Sequence, residues 1–289
     1  MSKKHPIISI TGSSGSGTST IKDTFEKIFL REKVTASFIE GDAFHKYNRA
    51  DMRTKIEEAT ARGVDFTHFH EDANELETLE SVFREYSQTG GGRMRHYIHD
   101  EIEAEKHGVA PGNFTEWSEF GDSDVLFYEG LHGCVVTDKV NLAQHSDLKI
   151  GVVPVINLEW IQKIHRDKSA RGYSTEAVTD TILRRMPDYV NYICPQFSHT
   201  DINFQRVPMV DTSNPFIARW IPTPAESVLV IRFANPHGID FPYLLTMMEG
   251  SWMSRANSIV VPGDKLDIAM QLILTPLINQ LVDRKRRLS

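Results

Sequence analysis

The sequence predicts an α/β fold with a largely parallel central sheet, and three observations carry that prediction. Short apolar runs alternate with longer stretches of helical periodicity along the chain, the pattern of strand–helix–strand units. The first run, Pro6-Ile7-Ile8-Ser9-Ile10-Thr11, empties into Gly12-Ser13-Ser14-Gly15-Ser16-Gly17-Thr18-Ser19-Thr20, a glycine-rich turn that feeds a helical stretch over 21–30. Gly12, Asp42 and Glu129 each stand just after a strand-like run, and in parallel sheets ligands sit at the carboxyl ends of the strands. Those three segments are expected to converge on one edge.

The elements follow in order. Residues 34–39 read as a second strand ending in Glu40-Gly41-Asp42. Residues 49–62 and 74–86 have amphipathic helical spacing, with loops around Phe66-Thr67-His68-Phe69-His70, and Gly90-Gly91-Gly92 is a break. Residues 124–129 and 148–156 are apolar enough for buried strands. Residues 159–170 are helical, Arg171-Gly172-Tyr173-Ser174 interrupts them, and Ser174 or Thr175 can cap a helix running to about 192, before Pro195. Strands are expected at 228–233 and 258–261, and a long helix at 264–286. No repeat or Pro/Gly/Ser linker divides the chain, so 1–289 is expected to be one domain with a mobile lid around 160–175.

Composition narrows the function. With 289 residues, 40% apolar and 25% charged, the chain is an ordinary globular protein. Its net charge of −7 speaks against a nucleic-acid surface. No apolar run approaches the ~20 residues that span a membrane. The glycine loop begins too early for a secretory signal. The two cysteines, Cys134 and Cys194, have no metal-ligand spacing and fit a reducing, cytoplasmic setting.

The glycine-rich turn is the strongest chemical signal. Backbone N–H groups that turn inward, followed by a helix N-terminus, form an anion cradle. Gly12 to Ser19 matches G-x-x-x-x-G-K-[ST] at each fixed position except one, because Thr18 stands where the lysine belongs. The missing charge must come from elsewhere. Ser19 supplies a hydroxyl for Mg²⁺ or caps the helix, and its residue type does not separate the two. Phosphoryl transfer also needs a group to take or orient the acceptor's proton, for which Asp42 is the candidate; a plain turn cap is the alternative. Glu129, at the end of an apolar strand downstream of a phosphate loop, has the place of a metal-binding carboxylate. The run Lys163-Ile164-His165-Arg166-Asp167-Lys168-Ser169-Ala170-Arg171 is either a solvated helix face or the source of the missing charge, brought over the phosphates by a closing flap. His45, His68, His70, His96 and His99 lack zinc spacing and suit hydrogen bonding or phosphate contact. The basic stretch 284–287 reads as cations opposing a helix dipole.

Several long stretches make a more specific match. With the glycine loop, Glu40-Gly41-Asp42-Ala43-Phe44-His45, Phe127-Tyr128-Glu129-Gly130-Leu131-His132-Gly133, the run from Val155 to Asp167, and Asp211-Thr212-Ser213-Asn214-Pro215-Phe216-Ile217-Ala218-Arg219, the chain resembles the phosphoribulokinases of bacterial type over essentially its whole length. That resemblance implies a P-loop kinase fold similar to the nucleoside monophosphate kinases. It implies use of ATP and Mg²⁺ to phosphorylate the 1-hydroxyl of D-ribulose 5-phosphate for carbon fixation. It implies Asp42 as catalytic base, and Asp167 as a second essential carboxylate serving the metal or the transferring group. Glu129 matches the family's metal-side acid. His45, Arg49, Tyr97, His99 and Lys163 match sugar-phosphate or charge-neutralising positions, while Arg166 and Arg171 match the lid. The absent loop lysine marks the bacterial members. Ser16 stands where plant members carry a redox-active cysteine, so thioredoxin control through that position is impossible. Control by NADH and AMP, in a homo-oligomer, is the family expectation.

An activating NADH site is expected at Arg232 and Arg255. A charge within a strand needs a purpose, Arg255 follows Trp252, and a guanidinium suits a pyrophosphate. Subunit contacts are the alternative role for both. Two rival functions stay open at this point: a uridine or pantothenate kinase of the same broad fold, and a nucleotide-binding regulator without transfer chemistry. The regulator would explain Thr18 but would leave Asp42, Glu129 and the basic run without a purpose.

Overall fold

The computed structural model describes residues 4–13, 18–121 and 123–288, with backbone alone at 18–20, 170 and 171. Ser14, Gly15, Ser16 and Gly17 therefore lie outside the described residues, as do the side chains of Thr18, Ser19, Thr20 and Arg171. The first half of the chain gives β1 (Ile7–Gly12), α1 (Thr18–Glu32), β2 (Ala36–Glu40), α2 (Arg49–Ala61), α3 (Leu76–Thr89), β3 (Gly92–Met94), α4 (Glu101–His107), β4 (Ser118–Phe120) and β5 (Val125–Gly130). The second half gives β6 (Leu148–Val152), α5 (Ile156–Arg171), α6 (Thr175–Asp188), β7 (Ile202–Pro208), β8 (Ser227–Phe233), α7 (Phe241–Met247), β9 (Trp252–Arg255), β10 (Ser258–Pro262) and α8 (Leu266–Leu288).

Eight strands form one sheet in the order β2-β5-β1-β6-β7-β8-β10-β9, while β3 and β4 pair as a separate ribbon. Neighbours from β2 to β7 run parallel, and β8, β10 and β9 extend the sheet with antiparallel pairings. The sheet is mixed and mostly parallel, as the sequence predicts. β1 is buried along its whole length, which is why its run shows no polar alternation. On one face Ile8, Ile10 and Phe127 pack with Phe25 and Ile28 of α1 and Met270 and Leu274 of α8. On the other, Ile7, Leu126 and Tyr128 meet Leu79, Val82 and Phe83 of α3. Each such side chain contributes about 1.5–3 kcal/mol on leaving water.

The elements depart from the sequence reading at several points. The expected strand 148–156 ends at Val152, and α5 starts at Ile156 after Pro154, which cannot donate to a ladder. The helix expected from Asn74 begins at Leu76, because Asn74 spends its side chain on another segment. The helix expected to reach 192 ends as α6 at Asp188 and continues as a π turn, Tyr189–Ile193, just after Pro187. Ser174 does cap α6, accepting from Ala177 N–H at 3.2 Å. The basic stretch after 283 does more than face a dipole. Arg284 donates to Asp147 Oδ1 at 2.6 Å while Asp147 Oδ2 accepts from Ile7 N–H at 3.0 Å, and Lys285 donates to the Ser123 carbonyl. Residues 160–175 are most of α5 and the turn into α6, where Gly172 takes the left-handed φ of 69° that ends the helix. Among the described residues no helix is long and apolar enough to cross a membrane.

Candidate active site

The ends of β1, β2 and β5 meet as the sequence predicts. A cleft of about 450 Å³ is lined by Gly12, Asp42 and Glu129, with Lys22 and Glu40, His99 and Arg166 around them. Two glycines let the strands close. A Cβ on Gly41 would lie 2.6 Å from the Tyr128 hydroxyl and 2.9 Å from Gly130 Cα, and one on Gly130 would lie 2.7 Å from Gly41 Cα. Any side chain at either position would push Asp42 away from Glu129.

Asp42 sits in a tight helical turn (Gly41–Phe44) directly after β2. Its Oδ1 is 3.1 Å from His45 Nε2, and its Oδ2 is 3.8 Å from His99 Nε2. Burial opposes ionisation of this carboxyl, but the charge and hydrogen bond of His45, helped by His99, outweigh it and hold the group well below the usual carboxylate range. The same contact works on His45: burial disfavours its charge, yet Asp42 and Asn74 raise its pKa above that of an ordinary histidine. His68 stacks on His45 at 4.2 Å and is driven the other way, mainly by burial. Tyr97 packs edge-on against His99 at 4.9 Å and lies 6.2 Å from His45. Arg49, at the start of α2, donates to the His99 carbonyl at 2.8 Å, so His45 and His99 contact Asp42 while Tyr97 and Arg49 join them from behind.

Two residues that sequence reasoning missed hold this turn. Arg95 donates to the carbonyls of Ala43 at 2.7 Å and His45 at 3.0 Å, its charge paired with Glu75 at 3.2 Å and its plane lying over Phe114. Asn74 bonds His45 directly at 2.8 Å. Nothing local marks either one; both act across segments far apart in the chain. A third, Lys22 of α1, pairs with Glu40 at 2.8 Å on the cleft wall, one turn beyond the position where the loop lacks its lysine.

The basic run is solvated only in part: Lys168 is exposed, but its neighbours one turn back are not. Lys163 and Asp167 are buried and joined at 2.8 Å, and Arg166 Nε donates to the other Asp167 oxygen at 3.0 Å. Burial and the nearby Arg185 pull Lys163 down to about 8. Burial raises the Asp167 carboxyl, but Lys163 and Arg166 more than reverse that. Arg166 reaches the cleft, whereas Lys163 lines a small space beneath α6 with Glu159, Trp160 and Arg185. Glu159 accepts from Ser13 Oγ at 2.6 Å, and burial raises its carboxyl to about 7. Ser13 is thus tied to α5.

The two proposed effector arginines also come together, on the far half of the sheet. Ser258 of β10 is opposite Arg232 of β8 on one side and Arg255 of β9 on the other. Both line a cavity of about 750 Å³ with Asn203, Gln205 and Asn257, sharing no residue with the cleft. Cys134 and Cys194 are both free; Cys134 is buried and pushed up to about 12, while Cys194 is exposed rather than the buried hydrophobe its type suggests.

A family model described as Phosphoribulokinase / Uridine kinase family matches residues 7–213. A curated phosphoribulokinase of Rhizobium meliloti (strain 1021) is 78% identical over 289 residues, covering 100% of each chain. Phosphoribulokinase 2 of Cereibacter sphaeroides is 70% identical and covers 99% of both chains. The solved phosphoribulokinase from Rhodobacter spheroides superposes with a TM-score of 0.91 at 67% identity, over 99% of this chain and 100% of its own.

Proposed function

The chain belongs to the phosphoribulokinase / uridine kinase family, as a kinase with an alcohol acceptor, and from that premise we propose that it uses Mg²⁺ and ATP to phosphorylate the 1-hydroxyl of D-ribulose 5-phosphate for carbon fixation. The observation that carries this reading is the cleft where Gly12, Asp42, Glu129 and Arg166 face one another. Phosphoryl transfer calls for positioning and charge more than for covalent help, and this cleft offers both.

On this reading Asp42 accepts the hydroxyl proton. A carboxylate with so low a pKa is a weak base, which suits a loose transition state in which the proton leaves late. His45, His99, Tyr97 and Arg49 hold the sugar phosphate on the same wall. Gly12 and Ser13 begin the phosphate cradle, continued by Ser14, Gly15, Ser16, Gly17, Thr18, Ser19 and Thr20. Glu129 and the Ser19 hydroxyl are the protein groups for Mg²⁺. Mg²⁺ in such sites takes one or two protein ligands beside phosphate oxygens. When bound, Mg²⁺ neutralises charge on those oxygens. Arg166 supplies the cation missing at Thr18, with Arg171 further along the same helix. Asp167, held between Lys163 and Arg166, orients those two cations and serves the metal or the transferring group. An apolar cavity of about 180 Å³ beside Ser13's segment, walled by Val153, Pro154, Leu158 and Phe204 and edged by Gln162 and Arg206, suits a planar base.

Regulation by NADH at Arg232 and Arg255 is part of the proposal. Its support is that the two arginines stand on either side of Ser258 in the sheet and line one cavity, and that a guanidinium suits a pyrophosphate. A homo-oligomer is the expected assembly, read by light scattering. The deciding experiment is ADP release from Mg·ATP with ribulose 5-phosphate, uridine or pantothenate. Turnover with the sugar phosphate alone is expected. Turnover with a nucleoside or pantothenate would move the chain to a sibling activity, and none with any acceptor would favour the regulator. NADH activation at sub-saturating ATP should vanish in Arg232→Ala and Arg255→Ala; unchanged activation in both would discard the effector site.

A further inference from the structure

The polar atoms around His45 fix its protonation by geometry. Asn74 Nδ2 lies 2.8 Å from the carbonyl oxygens of both His68 and His70. An amide nitrogen has two hydrogens and no lone pair to offer, so these carbonyls decide which way round the amide sits. Its oxygen then faces His45 Nδ1 at 2.8 Å, and that oxygen can only accept. Nδ1 must carry a proton. Across the ring, Nε2 stands 3.1 Å from Asp42 Oδ1. A neutral ring protonated at Nδ1 would aim its Nε2 lone pair at a carboxylate, two acceptors facing each other in a buried site. Protonating both nitrogens satisfies both contacts of the ring, while Asn74 Nδ2 also meets His132 Nε2 at 3.1 Å.

We propose that Asn74 is a positioning residue which, by fixing the Nδ1 proton, holds His45 as an imidazolium behind Asp42 and so maintains a standing positive charge where the acceptor binds. This rests on the reading of that wall as the acceptor site. The titratable and charged groups facing the ring are Asp42 from its own turn, His99 and Tyr97, stacked His68, His132 after β5, and Arg185 of α6. Arg95 touches the His45 carbonyl, with Glu75 on its guanidinium. Asp42 is the carboxylate that balances the ring.

The test combines ¹⁵N-histidine NMR of the ligand-free full chain with the pH profile of kcat/KM for ribulose 5-phosphate. His45 should be protonated on both nitrogens at pH 7.5, and kcat/KM should fall on the alkaline side as the ring loses its charge. Asn74→Ala removes the acceptor, lets Nδ1 go bare, and should move the ring titration and the alkaline limb down by about one pH unit. If that variant fails to fold, Asn74→Ser, too short to reach the ring, gives the same reading. Asn74→Asp also loses the amide bonds to the two carbonyls but keeps an oxygen opposite Nδ1, so its limb should stay at the wild-type pH or rise. A bracing role alone predicts that the alanine and aspartate variants behave alike, with equal shifts or none, and that result overturns the proposal. So does a singly protonated His45 in the wild type. The NMR titration needs no substrate, so a mistaken acceptor would silence the kinetic profile while leaving the ring result standing.

Discussion

The site contains two carboxylate–cation pairs, and they are built in opposite ways. In Asp42–His45 the anion is 40% exposed to the cleft and the cation is enclosed at 7%. In Asp167–Lys163 both partners are buried, at 5% and 6%. The first pair sits on a turn pinned by Gly41, Gly130, Arg95 and Asn74, and it presents a charge to whatever enters. The second lies within a helix, shows its charge only through the neighbouring Arg166, and depends on each partner for the other's ionisation. A partly exposed anion backed by a buried cation suits the reagent that Asp42 is proposed to be. A doubly buried pair is a support, and its energy is delicate because removing either partner strands the other out of water.

Asp42→Asn should break the first pair's chemistry with the largest effect. The amide keeps the size but cannot take a proton, so turnover should fall about 10²–10⁴-fold with nucleotide affinity nearly intact. Near-normal turnover in a folded variant would end the contrast between reagent and support. Arg166→Ala should come next, lowering kcat about 10²–10³-fold and ATP affinity much less, because charge on the transferring group grows toward the transition state. Loss of ATP affinity at unchanged kcat would make Arg166 a simple binding contact. Asp167→Asn should cost about 3–5 kcal/mol in urea unfolding, since it leaves Lys163 buried without its carboxylate. A loss under about 1 kcal/mol, the scale of a surface pair, would place Asp167 with exposed groups.

Glu159 sharpens the comparison through pH. Its carboxyl is raised to about 7 in the folded chain, so the native state favours the protonated form. That contribution is full below the unfolded pKa of about 4.3 and is lost as pH rises to about 7. Glu159→Gln should therefore match the wild type near pH 4.5 and exceed it by as much as about 3 kcal/mol at pH 7.5, measured by denaturation at each pH. A constant difference across that range would show that the group does not titrate there. The smallest effect is expected from thiol chemistry. With Ser16 in the loop and Cys134 buried, mild oxidation and dithiothreitol should leave activity unchanged, and a reversible several-fold switch would require a disulfide between chains or an unforeseen bridge.

What the sequence made legible was whatever depends on chain-local pattern. The convergence of Gly12, Asp42 and Glu129 followed from strand ends in a parallel sheet, and the sheet placed them so. The grouping of Arg232 with Arg255 was a guess from residue type that the register of Ser258 brought into one cavity. What stayed hidden was set by distant partners. Asn74 was read into a helix from amphipathic spacing, and only the fold supplies His45 opposite it. Arg95 carries no motif at all. The burial of Lys163 was not read from its charge run, although Glu159, Lys163 and Asp167 recur at four-residue spacing, the mark of one helix face. β7 escaped notice because Asn203, Gln205 and Arg206 dilute its apolar pattern, and β9 because Trp252–Arg255 is a short edge strand.

The bond from Arg284 to Asp147, and from Asp147 to the first amide of β1, sets an order on synthesis and folding. β1 is the strand on which the phosphate loop is mounted, and it leaves the ribosome early. Its bracing carboxylate follows well over a hundred residues later, and the guanidinium that neutralises that carboxylate comes as far behind again. Contacts of such long sequence separation are slow to form, because the intervening chain must be ordered before they reward it. A nascent chain that has made the loop but not yet α8 therefore holds a strand with one side of its core uncovered and its brace carrying an unmatched charge. The strand that leads into the glycine-rich turn is thus written well before the groups that secure it, and a chain caught between those two points is open to aggregation.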